Sequence, residues 1–195
     1  MAIRSLKSGT FSRSGLVGNP VIMPGSYESI ATATVGSGGV VEFTSIPSTY
    51  SHLQIRAITR NSSGSTDVSD LLMQVGSANS ADTGTNYSRH EISGNGSTVG
   101  VNGAANSSFI FVSPSPRNGN TSGIFGAFVL DILDYSNTNK NKTFRILSGT
   151  DMNGTGYNYF ASGNWRNTAA INYIKLYISS VNFVTGTQFA LYGVN

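Results

Sequence analysis

The sequence predicts an all-β protein, an antiparallel two-sheet β-sandwich that is jelly-roll-like and is preceded by an extended N-terminal arm. Short apolar runs alternate with polar residues at the period of two that is typical of half-buried strands. Gly, Ser, Thr and Asn fill the gaps between these runs, as turns require. About ten such runs, with no repeat of fixed length, favour a sandwich over a propeller or a solenoid.

The composition indicates one ordered domain. A chain of 195 residues is long enough for a single domain that buries roughly 70% of its unfolded surface. Only 11% of the residues are charged, against the usual ~25%. However, 38% are hydrophobic and 10% are aromatic, which is enough to fill a core. We therefore expect residues 1–25 to form the arm and residues 26–195 to form the β-sandwich domain.

Charge and hydropathy argue against several partners. The net charge of +3 comes from 12 Lys and Arg against 9 acidic residues, and it is neither large nor clustered enough to favour nucleic acid. The chain has no cysteine for a disulfide. No apolar run reaches the ~18 residues of a membrane helix, and the first residues lack the apolar core of a secretory signal. We expect a soluble protein that binds neither nucleic acid nor membrane.

The first 25 residues differ from the rest of the chain, because they contain three basic residues and no acid. Glycines and prolines interrupt any periodicity, and the extended segment could reach about 80 Å. A solvated tail is the alternative, but such a tail rarely contains so many apolar residues. We predict a docking arm with the apolar anchors Ile3, Leu6, Phe11, Leu16, Val21 and Ile22, and with Arg4, Lys7 and Arg13 meeting an acidic surface.

The first half of the domain begins with two predicted strands, residues 27–35 and 40–45. The glycine-rich segment 36–39 between them predicts a β-hairpin. Residues 52–60 alternate clearly and are expected to lie inside a sheet, with a bulge or a strong local twist where Ala57 and Ile58 adjoin.

A polar loop and three shorter strands are predicted next. The loop spans residues 61–67, and the strands fall at residues 71–75, 86–92 and 109–112, with Gly-, Asn- and Ser-rich connections. Pro114 and Pro116 cannot donate to a ladder, so the chain must leave the sheet there or run along an edge.

The second half contains the clearest strand patterns. Predicted strands fall at residues 126–135, 143–147, 157–165, 170–179 and 189–194. The first two should form a hairpin around a polar turn. The last strand should be a packed element whose removal unfolds the domain.

Enzyme motifs are mostly absent. There is no nucleophile elbow, phosphate-binding loop or zinc-protease motif. The chain has two histidines. We expect His52 to make a structural hydrogen bond, and His90 to lie on the opposite strand face from Glu91. Pairs of acidic residues lack the ligand run of a calcium loop. We predict no catalytic, cofactor or metal site, and a protein that is not an enzyme.

The aromatic segment 157–165 allows two interpretations. Tyr157, Tyr159 and Trp165 could stack on sugars if they lie exposed on a rim of the sandwich. The favoured interpretation is that Trp165 fills the core or a subunit contact. Burial of Trp165, or purified protein that binds no glycan, would end this sugar hypothesis.

Several short sequence segments, which we call phrases, are distributed over nearly the whole chain after the arm. They are residues 27–35, 43–56, 86–88, 131–135, 142–145, 162–165 and 189–193. In these phrases the chain resembles small virion structural proteins of tailed bacteriophages, including cyanobacterial phages. The resemblance implies a β-sandwich in a virus particle and a role without catalysis.

With this resemblance, the arm suggests a capsid decoration or cement protein. Such a protein would dock on the major capsid protein, or on another virion protein, at the outer surface of the capsid. A homotrimer is expected by analogy. The alternative is a tail fibre or baseplate protein that recognises host-surface glycans. Copy number in the particle would separate these two locations.

Overall fold

Twelve β-strands form the domain. The structure is a computed structural model that describes residues 26–195, in which two antiparallel sheets pack as a sandwich. These residues contain no helix, and so none that could span a membrane. The predicted all-β sandwich is therefore confirmed. The predicted arm, residues 1–25, lies outside the described residues.

The two sheets differ in size. The strands are β1 Tyr27–Val35, β2 Val40–Phe43, β3 His52–Thr59, β4 Val68–Gly76, β5 Tyr87–Gly94, β6 Val99–Ser107, β7 Ile110–Pro116, β8 Gly126–Leu133, β9 Lys142–Asp151, β10 Gly156–Trp165, β11 Tyr173–Ile178 and β12 Thr187–Val194. The large sheet has the order β1-β12-β3-β8-β9-β10-β5-β6, and the small sheet has the order β2-β11-β4-β7.

The core lies between the sheets and follows from the period of two. In β3, Leu53 and Ile55 are fully buried, whereas Gln54 and Arg56 face outward. Each such aliphatic side chain stabilises the fold by about 1.5–3 kcal/mol on burial. Because β3 pairs with β12 on one side and β8 on the other, its predicted interior position is confirmed.

The bulge predicted at Ala57 and Ile58 is wrong. β3 keeps its register with both neighbours through these residues. Ala57 is buried, Ile58 is exposed and Thr59 is buried, so the alternation continues with an apolar residue on the outer face. Register shifts occur elsewhere, between Ser29 and Ala31, between Leu71 and Leu72, and between Tyr87 and Arg89.

The hairpin predicted around residues 36–39 is also wrong. β1 pairs with β12 in the large sheet, whereas β2 pairs with β11 in the small sheet. The glycine-rich segment carries the chain from one sheet to the other. There the Gly38 carbonyl accepts a 2.7 Å hydrogen bond from the Phe183 amide. Local glycine content indicates a turn but does not decide which strand pairs with which.

Two other differences concern edge strands. The sequence assigns residues 99–107 to a polar connection, but in the structure they form β6. Almost none of the β6 side chains is buried, so the strand leaves no alternating pattern in the sequence. β7 continues through Pro114 and Pro116 along the edge of the small sheet. The prediction that these prolines run along an edge is therefore confirmed. An edge strand tolerates proline because one side of its backbone has no neighbouring strand that needs an amide donor.

The hairpin in the second half is confirmed. β8 and β9 pair through seven consecutive positions, from Ala127 with Gly149 to Leu133 with Thr143. β12 lies between β1 and β3, so the last strand is a packed element as predicted.

A buried arginine fixes the loop before β8. Arg60 is almost fully buried, and its guanidinium donates hydrogen bonds to four backbone carbonyls. The acceptors are Asn118 (3.2 Å), Asn120 (2.8 Å), Thr121 (2.8 Å) and Ile124 (3.0 Å). Such charge-assisted bonds compensate for the loss of hydration on burial. The loop is therefore held by one side chain from the end of β3.

A buried lysine has the same role at the opposite end of β8. The Lys142 ammonium donates to the carbonyls of Asn137, Lys140 (2.9 Å) and Thr168 (3.0 Å). Burial lowers the pKa of Lys142, and the nearby charge of Asp134 partly opposes that effect. Lys142 thus ties the β8–β9 turn to the segment before β11.

Candidate interaction surfaces

The arm joins the domain at one corner of the large sheet. Ser26 precedes β1, and its carbonyl accepts a 3.3 Å hydrogen bond from the Asn195 amide. Tyr27 pairs with Val194, which pairs with His52 on the next strand. The nine predicted arm contacts, Ile3, Arg4, Leu6, Lys7, Phe11, Arg13, Leu16, Val21 and Ile22, lie outside the described residues. The arm connects to the domain at this corner, so any contacts that it makes would begin there.

A charged cluster lies at the same end of the sheet. Nδ1 of His52 accepts a 3.0 Å hydrogen bond from the Asp134 amide, as the sequence predicted for a structural histidine. The Asp134 carboxylate accepts from Lys140. This hydrogen bond and the nearby positive charges lower the pKa of Asp134. The cluster is satisfied within the chain and positions the turn after β8.

A polar network covers one half of the outer face of the large sheet. The Arg56 guanidinium lies over the rings of Tyr27 and Tyr192, at 5.3 and 5.9 Å. Its Nε donates to Gln54 (2.7 Å), Gln54 donates to Asp131 (2.7 Å), and Asp131 accepts from Arg145 (2.7 Å). The network reaches across β1, β12, β3, β8 and β9.

The other half of this face carries an apolar row. We use this name for Val129, Leu147, Phe160, Ile92 and Val101, which are directly opposite one another on adjacent strands. Their side chains point away from the core. Leu147 is 62% exposed, Phe160 52%, Ile92 49% and Val101 81%. Five neighbouring strands thus present apolar side chains to solvent in one continuous line.

The surroundings of the apolar row are almost free of charge. In β10 its neighbours on this face are Asn158 and Ser162, and in β5 they are Gly94 and His90. Among the described residues, its permanently charged neighbours lie at the β8–β9 end, where Arg56 is directly opposite Val129 and Arg145 pairs with Asp131. A contiguous exposed apolar patch of this kind is typical of a contact surface for another molecule.

The structure separates the three residues predicted for sugar contact. Trp165 is 1% exposed, so the prediction that it stacks on a sugar is wrong, and the favoured core position is confirmed. Its Nε1 donates a 2.8 Å hydrogen bond to Asp82. Trp165 ends β10, and Tyr159 lies six residues earlier, about 20 Å along the strand. The three aromatic side chains therefore do not form one site.

Asp82 holds Trp165 in place. Its carboxylate also accepts 2.8 Å hydrogen bonds from the Asn86 side chain and the Gly84 amide. Burial by itself would raise the pKa of Asp82, but the hydrogen bonds from Trp165, Asn86 and Gly84 outweigh it and lower the pKa. The ionised carboxylate therefore joins β10 to the loop before β5.

Tyr157 and Tyr159 form a half-buried aromatic cluster with Phe111. The rings of Tyr159 and Phe111 are 5.1 Å apart, and those of Tyr157 and Tyr159 are 6.3 Å apart. Burial is the main cause of the raised pKa of both tyrosines. A shallow depression of about 520 Å³ borders Tyr157 and is also lined by Asn95, Asp151 and Asn158.

Clustered ligands for a metal are not found in the described part of the chain, where no three His, Cys, Asp or Glu side chains come together. His90 is exposed and Glu91 lies on the inner face, where it pairs with Arg89 at 2.9 Å, as their alternation predicted. Asp151 accepts a 2.8 Å hydrogen bond from the Asn153 amide and shapes the turn after β9.

Sequence reasoning missed the apolar row and the two buried cations. The row requires the pairing of five strands, which no local pattern provides. Lys142 carried a usable signal, because it has the same parity as the inward-facing Phe144 and Ile146. A scan against family models, a search of curated proteins and a search of solved structures each found no match to this chain.

Proposed function

We propose that this chain is a bacteriophage virion structural protein that decorates the capsid. The arm docks on the major capsid protein, and the sandwich covers and stabilises the outer surface of the shell. The resemblance of several sequence segments to virion proteins supports the virus setting. The apolar row is the structural observation that best supports an interaction protein.

The apolar row supports this role because its exposure is costly in a protein that works alone. Each of its exposed aliphatic or aromatic side chains gains free energy when a partner removes it from water. The charged neighbours lie at its β8–β9 end, where Asp131 already pairs with Arg145, so a protein partner on the rest of the row would not have to strip water from many ions. Nucleic acid would instead require a basic surface.

The position of the arm supports docking from one corner. The buried core residues run from Val35 to Leu191 and come from both sheets. In this proposal the basic residues of the arm meet an acidic surface of the shell. Many weak contacts of this kind, repeated over a shell, bind strongly together.

Binding to empty capsid shells tests the role of the arm. We expect deletion of residues 2–24 to abolish cosedimentation with shells. The triple variant Arg4→Glu, Lys7→Glu, Arg13→Glu should weaken it at least tenfold, and Arg4→Lys with Arg13→Lys should leave it unchanged. Counting copies in purified particles is the second readout. Unchanged binding after the deletion, or only a few copies per particle, contradicts the proposal.

A tail protein that recognises host glycans is the second candidate. The observation in its favour is the depression beside Tyr157, because an aromatic ring with amide and carboxylate neighbours suits a saccharide. A glycan array with the wild type and Tyr157→Ala tests it. Binding that Tyr157→Ala removes, together with a low copy number, would favour the tail.

A further inference from the structure

The four sheet edges are not equally open to another strand. In the small sheet, β2 has only four residues, and β7 contains two prolines. In the large sheet, β1 has a register shift between Ser29 and Ala31 and carries Glu28. Short strands, prolines, bulges and charges are the features that block pairing between sheet edges. Three of the four edges therefore carry protection.

The fourth edge, β6, has little protection. It is nine residues long, and it has no proline and no charged residue. Its one irregularity lies between Ala104 and Ser107, where the register with β5 shifts and Asn106 has a positive φ of 56°. The regular segment, residues 99–104, leaves one side of its backbone without a strand partner among the described residues.

The side chains of β6 also indicate a missing neighbour. Val99 and Val101 are the most exposed large hydrophobic residues that the structure describes, at 75% and 81%. Val101 is the end of the apolar row, and its only cross-strand partner is Ile92. A strand added beyond β6 would extend the row and shield both valines, because cross-strand pairs are the unit of sheet stabilisation.

We infer that β6 is the edge through which two copies of this chain associate, as an antiparallel pair of β6 strands around a two-fold axis. The pair joins the two eight-stranded sheets and brings the apolar rows end to end. This deepens the proposed structural role by naming the contact between copies, but it is measured without any capsid. It differs from the trimer that analogy suggests.

A second copy fits this edge better than a charged partner strand does. Symmetric pairing places the same strand on both sides of the axis, and β6 contributes no charges that would repel each other. Each copy uses one edge, so the contact closes at two copies and does not grow into a fibre. The protected β1 edge at the other side of the sheet prevents continuation.

Sedimentation velocity of the full chain tests the inference. We expect a reversible dimer, and we expect Val101→Lys to weaken dimerisation at least tenfold because it places two ammonium groups near the axis. The matched control is Leu147→Lys, the same change on the same face but three strands from the edge. It should change the dissociation constant less than twofold. Circular dichroism and thermal melting verify that both variants fold.

Distances between spin labels give a second readout that does not depend on these substitutions. The chain has no cysteine, so Val101→Cys and Leu147→Cys each carry one label per copy. β9 and β6 are three strand spacings apart, so the 147 pair should be about 29 Å farther apart than the 101 pair at ~4.8 Å per spacing.

Five outcomes overturn the inference. The first four are a wild-type monomer at millimolar concentration, a trimer, equal effects of the two lysine variants, and a 147 pair as close as the 101 pair. The third and fourth would indicate face-to-face packing of the rows. Loss of the dimer on deleting residues 2–24, with Val101→Lys unaffected, assigns the contact to the arm and also overturns it. None of these outcomes depends on whether the protein binds a capsid.

Discussion

At the scale of single residues, the response of the sandwich to acid depends on carboxylates that the fold keeps ionised. Asp82 is the clearest, because Trp165, Asn86 and Gly84 all donate to it and its pKa is lowered. A carboxylate whose pKa is lower in the folded state stabilises the fold above its unfolded pKa, about 3.9. That contribution is lost as the pH falls through the lower folded pKa.

Replacing Asp82 with Asn should therefore remove part of the acid sensitivity. At pH 7 we expect the free energy of unfolding to fall by about 1–2 kcal/mol, because a charged acceptor becomes a neutral one. Between pH 4 and pH 3 the variant should lose less stability than the wild type. Urea unfolding at pH 7, 4 and 3 measures both effects, with Asp151→Asn at the exposed end of β9 as the control. Parallel pH profiles for wild type and Asp82→Asn would contradict this account.

Prediction from sequence recovered the structural role of His52 but not its partner, the Asp134 amide 82 residues away, and it missed the burial of Arg60. The structural hydrogen bond of His52 follows from its place at the start of an alternating strand. In the sequence, Arg60 ends the same alternating segment and looks like an ordinary polar residue at the end of a strand. Its four carbonyl acceptors lie about sixty residues away, between Asn118 and Ile124.

At the scale of elements, Arg60 makes the loop before β8 depend on β3. Arg60→Ala should lower the free energy of unfolding by at least about 3 kcal/mol, because buried carbonyls lose their donors. Arg60→Lys should cost less, since an ammonium keeps the charge but cannot reach four acceptors spread in a plane. Guanidinium unfolding gives the energies, and amide exchange shows whether residues 117–125 open first. If Arg60→Lys and Arg60→Ala lowered the free energy of unfolding equally, the several hydrogen bonds of the planar guanidinium would not be what holds the loop.

Strand positions were largely predictable, but strand pairing was not. The alternation that defines β3, β8 and β11 comes from burial on one face, so it is visible in the sequence. β6 faces solvent on both sides and has no such pattern, which is why it was missed. The segment 36–39 has the glycines of a hairpin, yet pairing was decided by Phe183 and β11, which lie about 140 residues later. The apolar row depends on four such pairings among five strands and was therefore beyond a local pattern.

At the scale of the whole molecule, the first described residues and the last strand meet at one corner of the large sheet. β12 lies between β1 and β3 and buries Phe189 and Leu191 completely. Among the described residues the buried core begins at Val35, and Ile30, Ala31 and Ala33 of β1 pack against it. Because we propose that the arm docks on another protein, we expect the domain to tolerate loss of the arm but not loss of the last strand.

Deletions at the two ends test this asymmetry. Deleting residues 2–24 should change the free energy of unfolding by less than about 1 kcal/mol, a shift in melting temperature of less than about 4 °C for a domain of this size. Deleting residues 187–195 should abolish the cooperative transition, because β1 and β3 lose the strand between them. Calorimetry and near-UV circular dichroism measure both. If the arm deletion also destroyed the transition, the arm would belong to the folded core, and its loss of capsid binding would no longer indicate a docking role.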